Sequence, residues 1–264
     1  MNQREQPDSF YPAERRRRIV EELRQQETLA VRDLAERFGV SLSTIRRDLS
    51  ALQRAGLLER TYGAASAPLL GAQEKPLAER RVSRAPAKQR IARAAAALIK
   101  PGDTLFLDGG TTVECLIPFL REMAGLTVVT LGLNLVSGLA GCDGLRVITV
   151  GGVLDHRTYM LGGTLAHELF RAQGMRFDRA FVAASGVSAE GGVTNASLDE
   201  IPLKRIAIDS ARQTVLLVDG SKVGRDAVAQ IVPVERMDLL ITDRSAPAEE
   251  LEQLRQRNVR IILA

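Results

Sequence analysis

From Gln89 onward the chain alternates short apolar runs with segments of helical periodicity. The apolar runs are rich in Val, Ile and Leu with little polar alternation, which is typical of strands covered on both faces. The predicted strands are Thr104–Leu107, Leu126–Thr130, Arg146–Thr149, Arg179–Ala183, Thr214–Val218, Leu239–Thr242 and Arg260–Leu263. The predicted helices are Pro86–Ile99, Val113–Met123, Leu133–Leu139, Ile201–Ala211 and Ala248–Gln256. This alternation predicts βαβ units and an α/β domain with a largely parallel sheet.

The first 66 residues show a different pattern, in which helical segments are joined by short connectors. A first helix is predicted to start near Pro12, a second to end at Gly39, and a third to be capped by Ser41 or Ser43. The residues predicted to be buried by the three helices are Ile19, Val20, Leu23, Val31, Leu34, Ala35, Phe38, Ile45, Leu49 and Leu52. A partly alternating stretch, residues 57–63, follows as a small hairpin. This order predicts an α+β winged helix-turn-helix, and the alternative is a small helical interaction domain.

The predicted domain limits follow from these two patterns. Residues 12–66 form the winged helix-turn-helix, and residues 89–264 form the α/β domain. The stretch between them, residues 67–88, has mixed charges and contains Pro68, Pro76 and Pro86, so it is predicted to be a linker.

The first turns of the third helix carry polar residues that suit DNA recognition. Arginine is a bidentate donor to guanine and a strong partner for phosphate, although an arginine-rich helix face is usually only a solvated surface. Asp48 would be repelled by phosphate and is predicted to orient an arginine instead. The residues predicted to contact DNA are Arg17, Ser41, Ser43, Thr44, Arg46, Arg47 and Arg60.

The charge distribution supports a nucleic-acid partner for the first third of the chain. Residues 1–88 contain 17 lysines and arginines against 12 acidic residues, whereas the remaining residues contain 19 against 20.

There is no apolar stretch of about 18 residues and no apolar segment typical of a secretory signal at the N-terminus, so a cytoplasmic protein is expected, with no membrane partner. With two cysteines and two histidines, no disulfide framework, metal site or cofactor is expected.

Polar or glycine-rich loops follow four of the predicted strands. Because the carboxyl ends of parallel strands lie at one edge of a sheet, these loops are predicted to form one ligand site, and their glycines and hydroxyls suit a phosphate. The alternatives are that the glycines serve tight turns and that Lys222 is a surface lysine. The residues predicted to bind the ligand are Asp108, Gly109, Gly110, Thr111, Thr112, Asn134, Gly151, Gly152 and Lys222.

Several strings of residues resemble the DeoR family of bacterial transcriptional regulators. In the first part they are Val40-Ser41, Thr44-Ile45-Arg46-Arg47-Asp48-Leu49, Leu52 and Gly56-Leu57; in the second they include Lys88, Ile91-Ala92, Asp108-Gly109-Gly110-Thr111-Thr112, Gly151-Gly152, Lys204 and Asp219-Gly220-Ser221-Lys222. The sequence departs from the family where Arg60-Thr61-Tyr62-Gly63-Ala64-Ala65 replaces Arg-x-His-Gly-Gly-Ala, where Gly109 replaces Ser, and where Asn134 alone stands for the family's Thr-Asn-Ser.

The resemblance implies a second domain similar to ribose-5-phosphate isomerase and CoA-transferase folds. It also implies a regulator, most often a repressor of carbohydrate genes, whose binding to operator DNA changes when a phosphorylated sugar binds. Recognition of the two half-sites of an operator by two helix-turn-helix domains requires a homodimer or homotetramer. Two other functions are kept open: a sugar-phosphate isomerase or transferase with an accessory head, using Glu190, Asp199 and Glu200 as acid and base, and a regulator whose pocket binds nothing.

Overall fold

The computed structural model describes residues 15, 16, 18, 19, 22, 28–54, 59–61, 64–66 and 75–264. Its contacts divide the chain into two compact units, Met1–Ala72 and Gln73–Ala264. None of the helices within the described ranges is long and apolar enough to cross a membrane.

The first unit has the predicted helix-turn-helix. Helix α1 (Val31–Arg37) is followed by a turn at Gly39, whose φ of 60° favours glycine, and then by α2 (Leu42–Arg54). Residues 15, 16, 18, 19 and 22 are also helical. The buried residues form one core: Ile19, Leu29, Val31, Leu34, Ala35, Phe38, Ile45, Leu49 and Leu52. The stripes predicted for the second and third helices are therefore confirmed, whereas Pro12, Val20 and Leu23 lie outside the described residues.

A small antiparallel sheet completes the first unit. Strands β2 (Glu59–Thr61) and β3 (Ala64–Ser66) pair as a hairpin, as predicted, but its second strand lies beyond the predicted stretch of residues 57–63. Strand β1 (Thr28–Ala30) adds to β3, giving the order β1-β3-β2. The sequence did not predict β1, because three residues are too few to show a strand period.

The second unit is built on a seven-stranded sheet in the order β15-β14-β12-β9-β4-β5-β6, and every neighbouring pair is parallel. Its strands are β4 (Thr104–Leu107), β5 (Leu126–Thr130), β6 (Leu145–Ile148), β9 (Phe177–Val182), β12 (Ala211–Leu217), β14 (Leu239–Thr242) and β15 (Arg260–Leu263). Leu105 and Leu107 pack into one core cluster, and Phe106 packs into another. The strands are thus buried on both faces, as their continuous apolar runs predicted.

Eight helices of the second unit are described: α3 (Leu77–Val82), α4 (Ala85–Ala96), α5 (Thr111–Glu114), α6 (Ile117–Leu120), α7 (Leu133–Leu139), α8 (Gly163–Ala172), α9 (Ile201–Asp209) and α10 (Ala248–Gln256). The helix predicted over Val113–Met123 is broken into α5 and α6. The break lies ahead of Pro118, which has no backbone N–H and whose ring would meet the carbonyl of Glu114 in a continuous helix.

Two smaller sheets were not predicted. Strands β7 (Val153–Leu154) and β8 (Leu161–Gly162) form a hairpin, and β10 (Gly186–Ser188), β11 (Gly192–Asn195) and β13 (Ala229–Val232) form an antiparallel sheet. Helix α8 was not predicted either, because its glycine-rich start does not resemble a helix cap.

The end of the predicted linker is helical and belongs to the second unit. Helix α3 and the first turn of α4 lie within residues 67–88, and Leu77 and Lys88 are buried. Pro76 precedes α3, and Pro86 lies in the first turn of α4, where the missing N–H is not needed. These prolines therefore start helices instead of marking a linker, and residues 67–74 lie outside the described residues.

Candidate functional site

Helix α2 separates an apolar face from a polar one. Ile45, Leu49 and Leu52 are buried, whereas Arg46 and Arg47 are exposed. Ser41 and Ser43 are exposed at the start of the helix, and Thr44 is half-buried. The structure therefore brings five of the predicted DNA-contacting residues to one exposed surface, formed by Ser41, Ser43, Thr44, Arg46 and Arg47.

Ser41 also caps α2. Its Oγ accepts a hydrogen bond of 3.2 Å from the backbone N–H of Thr44, and it lies 2.8 Å from Ser43 Oγ and 2.9 Å from Thr44 Oγ1. A side-chain oxygen placed in this way satisfies one of the free N–H groups at a helix start. The first turn of α2 is therefore held in place by the same hydroxyls that face outward.

Asp48 pairs with arginines from the first helical segment. Arg15 Nε lies 2.6 Å from Asp48 Oδ2, and Arg16 Nε lies 2.8 Å from Oδ1. Asp48 and Arg15 are both buried. As predicted, Asp48 contacts arginine, but its partners lie in the helical segment ahead of α1 and not on α2. Of the remaining predicted contacts, Arg17 and the side chain of Arg60 lie outside the described residues.

In the second unit, the direction in which the strands are added to the sheet reverses beside β4. From β4 the chain runs through β5 and β6 on one side, and then returns to β9, β12, β14 and β15 on the other side. Loops that follow β4 and β9 therefore diverge at the carboxyl edge of the sheet, which is where ligands bind in open parallel sheets.

Asp108 joins the two diverging loops. Its Oδ1 accepts from the backbone N–H of Gly109, and its Oδ2 accepts from the N–H of Ala183, each at 2.9 Å. The same Oδ2 lies 2.9 Å from the Nζ of Lys204. The carboxylate of Asp108 is buried and hydrogen-bonded within the protein. Asp108 is therefore suited to positioning the loop after β4, residues 108–110, which is called the glycine loop below.

Lys204 also contacts Asp108, and no role was predicted for it from the sequence. It lies on α9 and is buried, and its Nζ lies 3.2 Å from Glu200 Oε2 and donates to the carbonyl of Ala183 at 3.1 Å. A lysine next to Leu203 on an otherwise apolar helix face was the available signal, because a buried charge requires partners.

The predicted acid and base residues do not form a group. Glu200 is buried and pairs with Lys204, and it also accepts from Asn195 Nδ2 at 3.1 Å. Glu190 and Asp199 are exposed.

Lys88 lies beside the glycine loop and was also given no role by the sequence analysis. Its Nζ donates to Thr111 Oγ1 at 2.9 Å and to the carbonyl of Arg80. Burial lowers the pKa of Lys88, and the charges of Arg80 and Lys222 lower it further, while Asp219 acts in the opposite direction. Arg80, Lys88 and Lys222 are called the basic cluster below.

The positive charge at the carboxyl edge of the sheet comes mainly from the basic cluster and less from the start of a helix. The helix that starts at Thr111, α5, has only four residues, so its dipole is small. Thr111 and Thr112 are buried at its start. Lys88 and Lys222 bring full charges from α4 and from the loop after β12, which suits an anion held by Thr111 and the nearby backbone.

The loop after β12 positions Lys222 through a short turn. Asp219 Oδ1 accepts from the N–H of Ser221 at 3.0 Å, which caps the turn Gly220–Lys222. The N–H of Gly220 donates to Asp243 at 2.8 Å. Burial would raise the pKa of Asp243, but hydrogen bonds from Gly220 and Ser245 outweigh it, so its pKa lies below the usual value.

Three of the predicted glycines are closely packed. A Cβ on Gly109 would lie 2.0 Å from Met160 Sδ, and one on Gly110 would lie 2.4 Å from Ala183 Cβ. A Cβ on Gly152 would lie 2.8 Å from the carbonyl oxygen of Gly162. Gly110 and Gly152 need glycine because Cβ or backbone atoms of neighbouring segments approach closely, whether or not a ligand binds. At Gly109 the close atom is the end of the flexible Met160 side chain, which can move aside.

Two further predicted residues have different surroundings. Asn134 is buried, and its Nδ2 donates to the carbonyl of Gly109 at 3.3 Å, so it braces the glycine loop. Gly151 is exposed and has nothing within 4 Å of an added Cβ. Packing therefore does not explain Gly151.

Comparison with known families gives two matches along the chain. Residues 15–68 match the DeoR-like helix-turn-helix domain, and residues 83–244 match the DeoR C-terminal sensor domain.

Related proteins match over nearly the whole chain. The glycerol-3-phosphate regulon repressor of Escherichia coli (strain K12) is 32% identical over 93% of this chain and 96% of its own length. The regulator GolR of Listeria innocua is 34% identical over 89% of this chain and 91% of its own length.

Solved structures include more distant matches. A domain of a possible sugar-binding transcriptional regulator from Arthrobacter aurescens is 18% identical, with a TM-score of 0.40 over 64% of this chain and 88% of that one. Ribose 5-phosphate isomerase A from Methanocaldococcus jannaschii is also 18% identical, with a TM-score of 0.39 over 53% of this chain and 55% of that one.

The family matches fall in both units, and the two relatives align over 89% and 93% of the chain. The chain belongs to the DeoR family of transcriptional regulators, with an N-terminal helix-turn-helix and a C-terminal sensor domain.

Proposed function

We propose that this regulator is a repressor that binds operator DNA through α2 and is released when a phosphorylated sugar binds at the carboxyl edge of its parallel sheet. The observation that carries the proposal is the exposed polar face of α2, which lies opposite a buried apolar face within a helix-turn-helix. The names of relatives support repression, since one is a glycerol-3-phosphate regulon repressor.

The DNA contacts follow from the side chains on α2. Arg46 and Arg47 are exposed and suit either guanine edges or phosphates, while Ser43 and Thr44 add hydroxyls. Arg17 and Arg60 are proposed as further phosphate contacts. Binding through these cations would weaken as salt concentration rises, because counterions are released from DNA.

The effector site is proposed where the basic cluster meets the glycine loop. Lys88 and Lys222 would neutralise a phosphate, and Thr111, Thr112 and the backbone of Gly109 and Gly110 would donate to it. Asp108, Asn134, Gly151 and Gly152 would shape this edge. The effector would release the operator by favouring a form with lower DNA affinity, and DNA would weaken effector binding by the same factor.

The remaining features of the proposal follow from this function. The protein would act without catalysing a reaction and without a cofactor, as a homodimer or homotetramer that reads two half-sites. It would act in the cytoplasm. Residues 12–66 would bind DNA, and residues 89–264, together with the helices at 75–88, would bind the effector and the second copy.

The test measures fluorescence anisotropy of labelled DNA from upstream of the protein's own gene. Saturable binding that falls with salt and is lost on adding a pool of sugar phosphates is the expected result. Binding unaffected by the pool would contradict the effector site. Absence of specific binding would contradict the operator proposal, and turnover of a sugar phosphate would then favour an isomerase-like enzyme.

In the same assay, Arg47→Ala is expected to weaken operator binding by about tenfold, since one good arginine contact to a base contributes roughly 1–3 kcal/mol. Arg171→Ala removes an exposed arginine of α8 and serves as the charge-matched control. Equal affinities of Arg47→Ala and the parent protein would remove Arg47 from the DNA interface.

A further inference from the structure

The junction between α3 and α4 has an unusual backbone conformation. Arg84 lies there with a φ of 55° and a ψ of 30°, in the left-handed region that few residues other than glycine and asparagine occupy. A non-glycine residue is held in this region when its surroundings fix it, and such residues concentrate at ligand sites and switches. The contacts of the Arg84 side chain are therefore of interest.

Arg84 and Lys88 both reach the loops of the effector site from the start of α4. Arg84 precedes the first residue of the helix, and Lys88 lies in its first turn. Lys88 contacts Thr111 in the loop after β4. Arg84 Nε lies 3.6 Å from Asp219 Oδ1 after β12, and an Arg84 terminal nitrogen donates to Ser245 Oγ at 3.3 Å after β14. Arg84 and the first turn of α4 together thus contact the segments that follow β4, β12 and β14.

The ion pair between Arg84 and Asp219 is weak enough for another anion to replace Asp219 as the partner of Arg84. The Arg84 side chain is 47% exposed, and an ion pair of 3.6 Å at such a site stabilises a protein little. Asp219 is itself buried and keeps hydrogen bonds from Ser221 when Arg84 leaves. The exchange would therefore cost the folded protein little.

We propose that Arg84 is an additional ligand of the effector's phosphate and exchanges Asp219 for that phosphate when the effector binds. The inference rests on the proposed effector site and adds a residue that distinguishes a phosphate from an uncharged sugar. A planar guanidinium can donate two parallel hydrogen bonds to a phosphate, which the ammonium groups of Lys88 and Lys222 cannot do. In the absence of the effector, Asp219 holds the guanidinium of Arg84 close to the basic cluster. When the effector binds, its phosphate replaces Asp219 as the partner of Arg84.

The test titrates inorganic phosphate into the full chain by calorimetry. Arg84→Asn is expected to weaken phosphate binding by about tenfold, the effect of losing a charge-assisted hydrogen bond. Asparagine is chosen because it tolerates the left-handed backbone. Arg84→Lys keeps the charge but not the planar donor pair, so a smaller loss of about threefold is expected. Arg93→Asn removes an exposed arginine of the same helix and is expected to bind phosphate like the parent.

A double-mutant cycle tests the exchange itself. Asp219→Asn removes the competing carboxylate but retains an acceptor for Ser221, so phosphate binding is expected to tighten by about threefold when Arg84 is present. The same change is expected to have little effect when Arg84→Asn is already present. Additive effects of the two substitutions would overturn the exchange.

The outcomes separate this inference from the proposed function. Phosphate binding by the parent with equal affinity in Arg84→Asn and Arg84→Lys would overturn the role of Arg84 alone. A parent protein that binds neither phosphate nor any sugar phosphate would overturn the effector site and this inference together.

Discussion

Asp48, Lys88, Asp108 and Lys204 are four of the charged side chains that are buried at the candidate sites. Each has a contact that explains its burial, since a charge removed from water must be paired or hydrogen-bonded. Asp48 links α2 to Arg15 and Arg16 in the helical segment ahead of α1, and Asp108 with Lys204 links two loops of the sheet. Lys88 differs, because its described partners, Thr111 Oγ1 and the carbonyl of Arg80, are uncharged.

Lys88 is therefore expected to serve ligand binding more than stability. Because burial and the neighbouring cations lower its pKa, the folded protein disfavours its charge. Lys88→Met is expected to leave the free energy of unfolding equal or higher while phosphate binding weakens by about tenfold or more. Chemical denaturation and calorimetry measure the two effects, with exposed Lys100→Met as the control.

The pH dependence of the parent gives a second measurement for Lys88. A lysine with a lowered pKa loses its proton below the usual 10.5, so phosphate affinity is expected to fall as pH rises through that lowered pKa. A phosphate is fully dianionic above about pH 8, so its own titration does not cause this fall. In Lys88→Met the fall is expected to move to higher pH, and an unchanged profile would contradict the assignment.

At the scale of elements, the loops at the sheet edge depend on close backbone packing. Gly110 brings the loop after β4 against Ala183 after β9, at the point where the strand order diverges. Gly151, after β6, has open space around it. The two glycines were predicted as one class from sequence, and the structure separates them by their surroundings.

Gly110→Ala is expected to destabilise the protein by about 1–3 kcal/mol, because the added methyl overlaps Ala183 and forces the two loops apart. Phosphate binding should weaken with it, since Thr111 follows directly. Gly151→Ala is the matched control for stability and should leave the free energy of unfolding unchanged, because nothing lies within 4 Å of the added Cβ. Thermal unfolding and calorimetry of both variants decide the matter, and equal stability of the two would contradict the packing account.

For the whole molecule, the division into two units predicts that the second folds alone. A fragment spanning Gln73–Ala264 is expected to unfold cooperatively and to bind phosphate within about twofold of the full chain, because it contains every described contact of the effector site. It should not bind operator DNA.

A fragment of residues 89–264 is the informative control. It begins at the predicted domain start but lacks buried Leu77 and Lys88. It is expected to bind phosphate at least tenfold more weakly, since a charged donor to the anion is lost. Equal binding by the two fragments would show that α3 and the start of α4 are dispensable.

The local pattern of the sequence was sufficient for elements that are defined by their own residues. The strands Thr104–Leu107, Leu126–Thr130, Leu239–Thr242 and Arg260–Leu263 were predicted with their observed limits, because strands buried on both faces carry continuous apolar runs. The stripes of α1 and α2 were predicted because a 3.6-residue period is visible in a single helix.

The tertiary structure alone decided which distant residues meet. Lys88 and Thr111 are 23 residues apart, and Lys204 reaches Asp108 across almost a hundred residues of chain. The contact of Lys204 exists because β9 returns to the opposite side of β4 from β5, and no local period encodes that order. From sequence alone, Lys88 and Lys204 would be predicted to lie on the surface, because lysines are mostly exposed. Whether a charged side chain is buried depends on which distant residues pack over it.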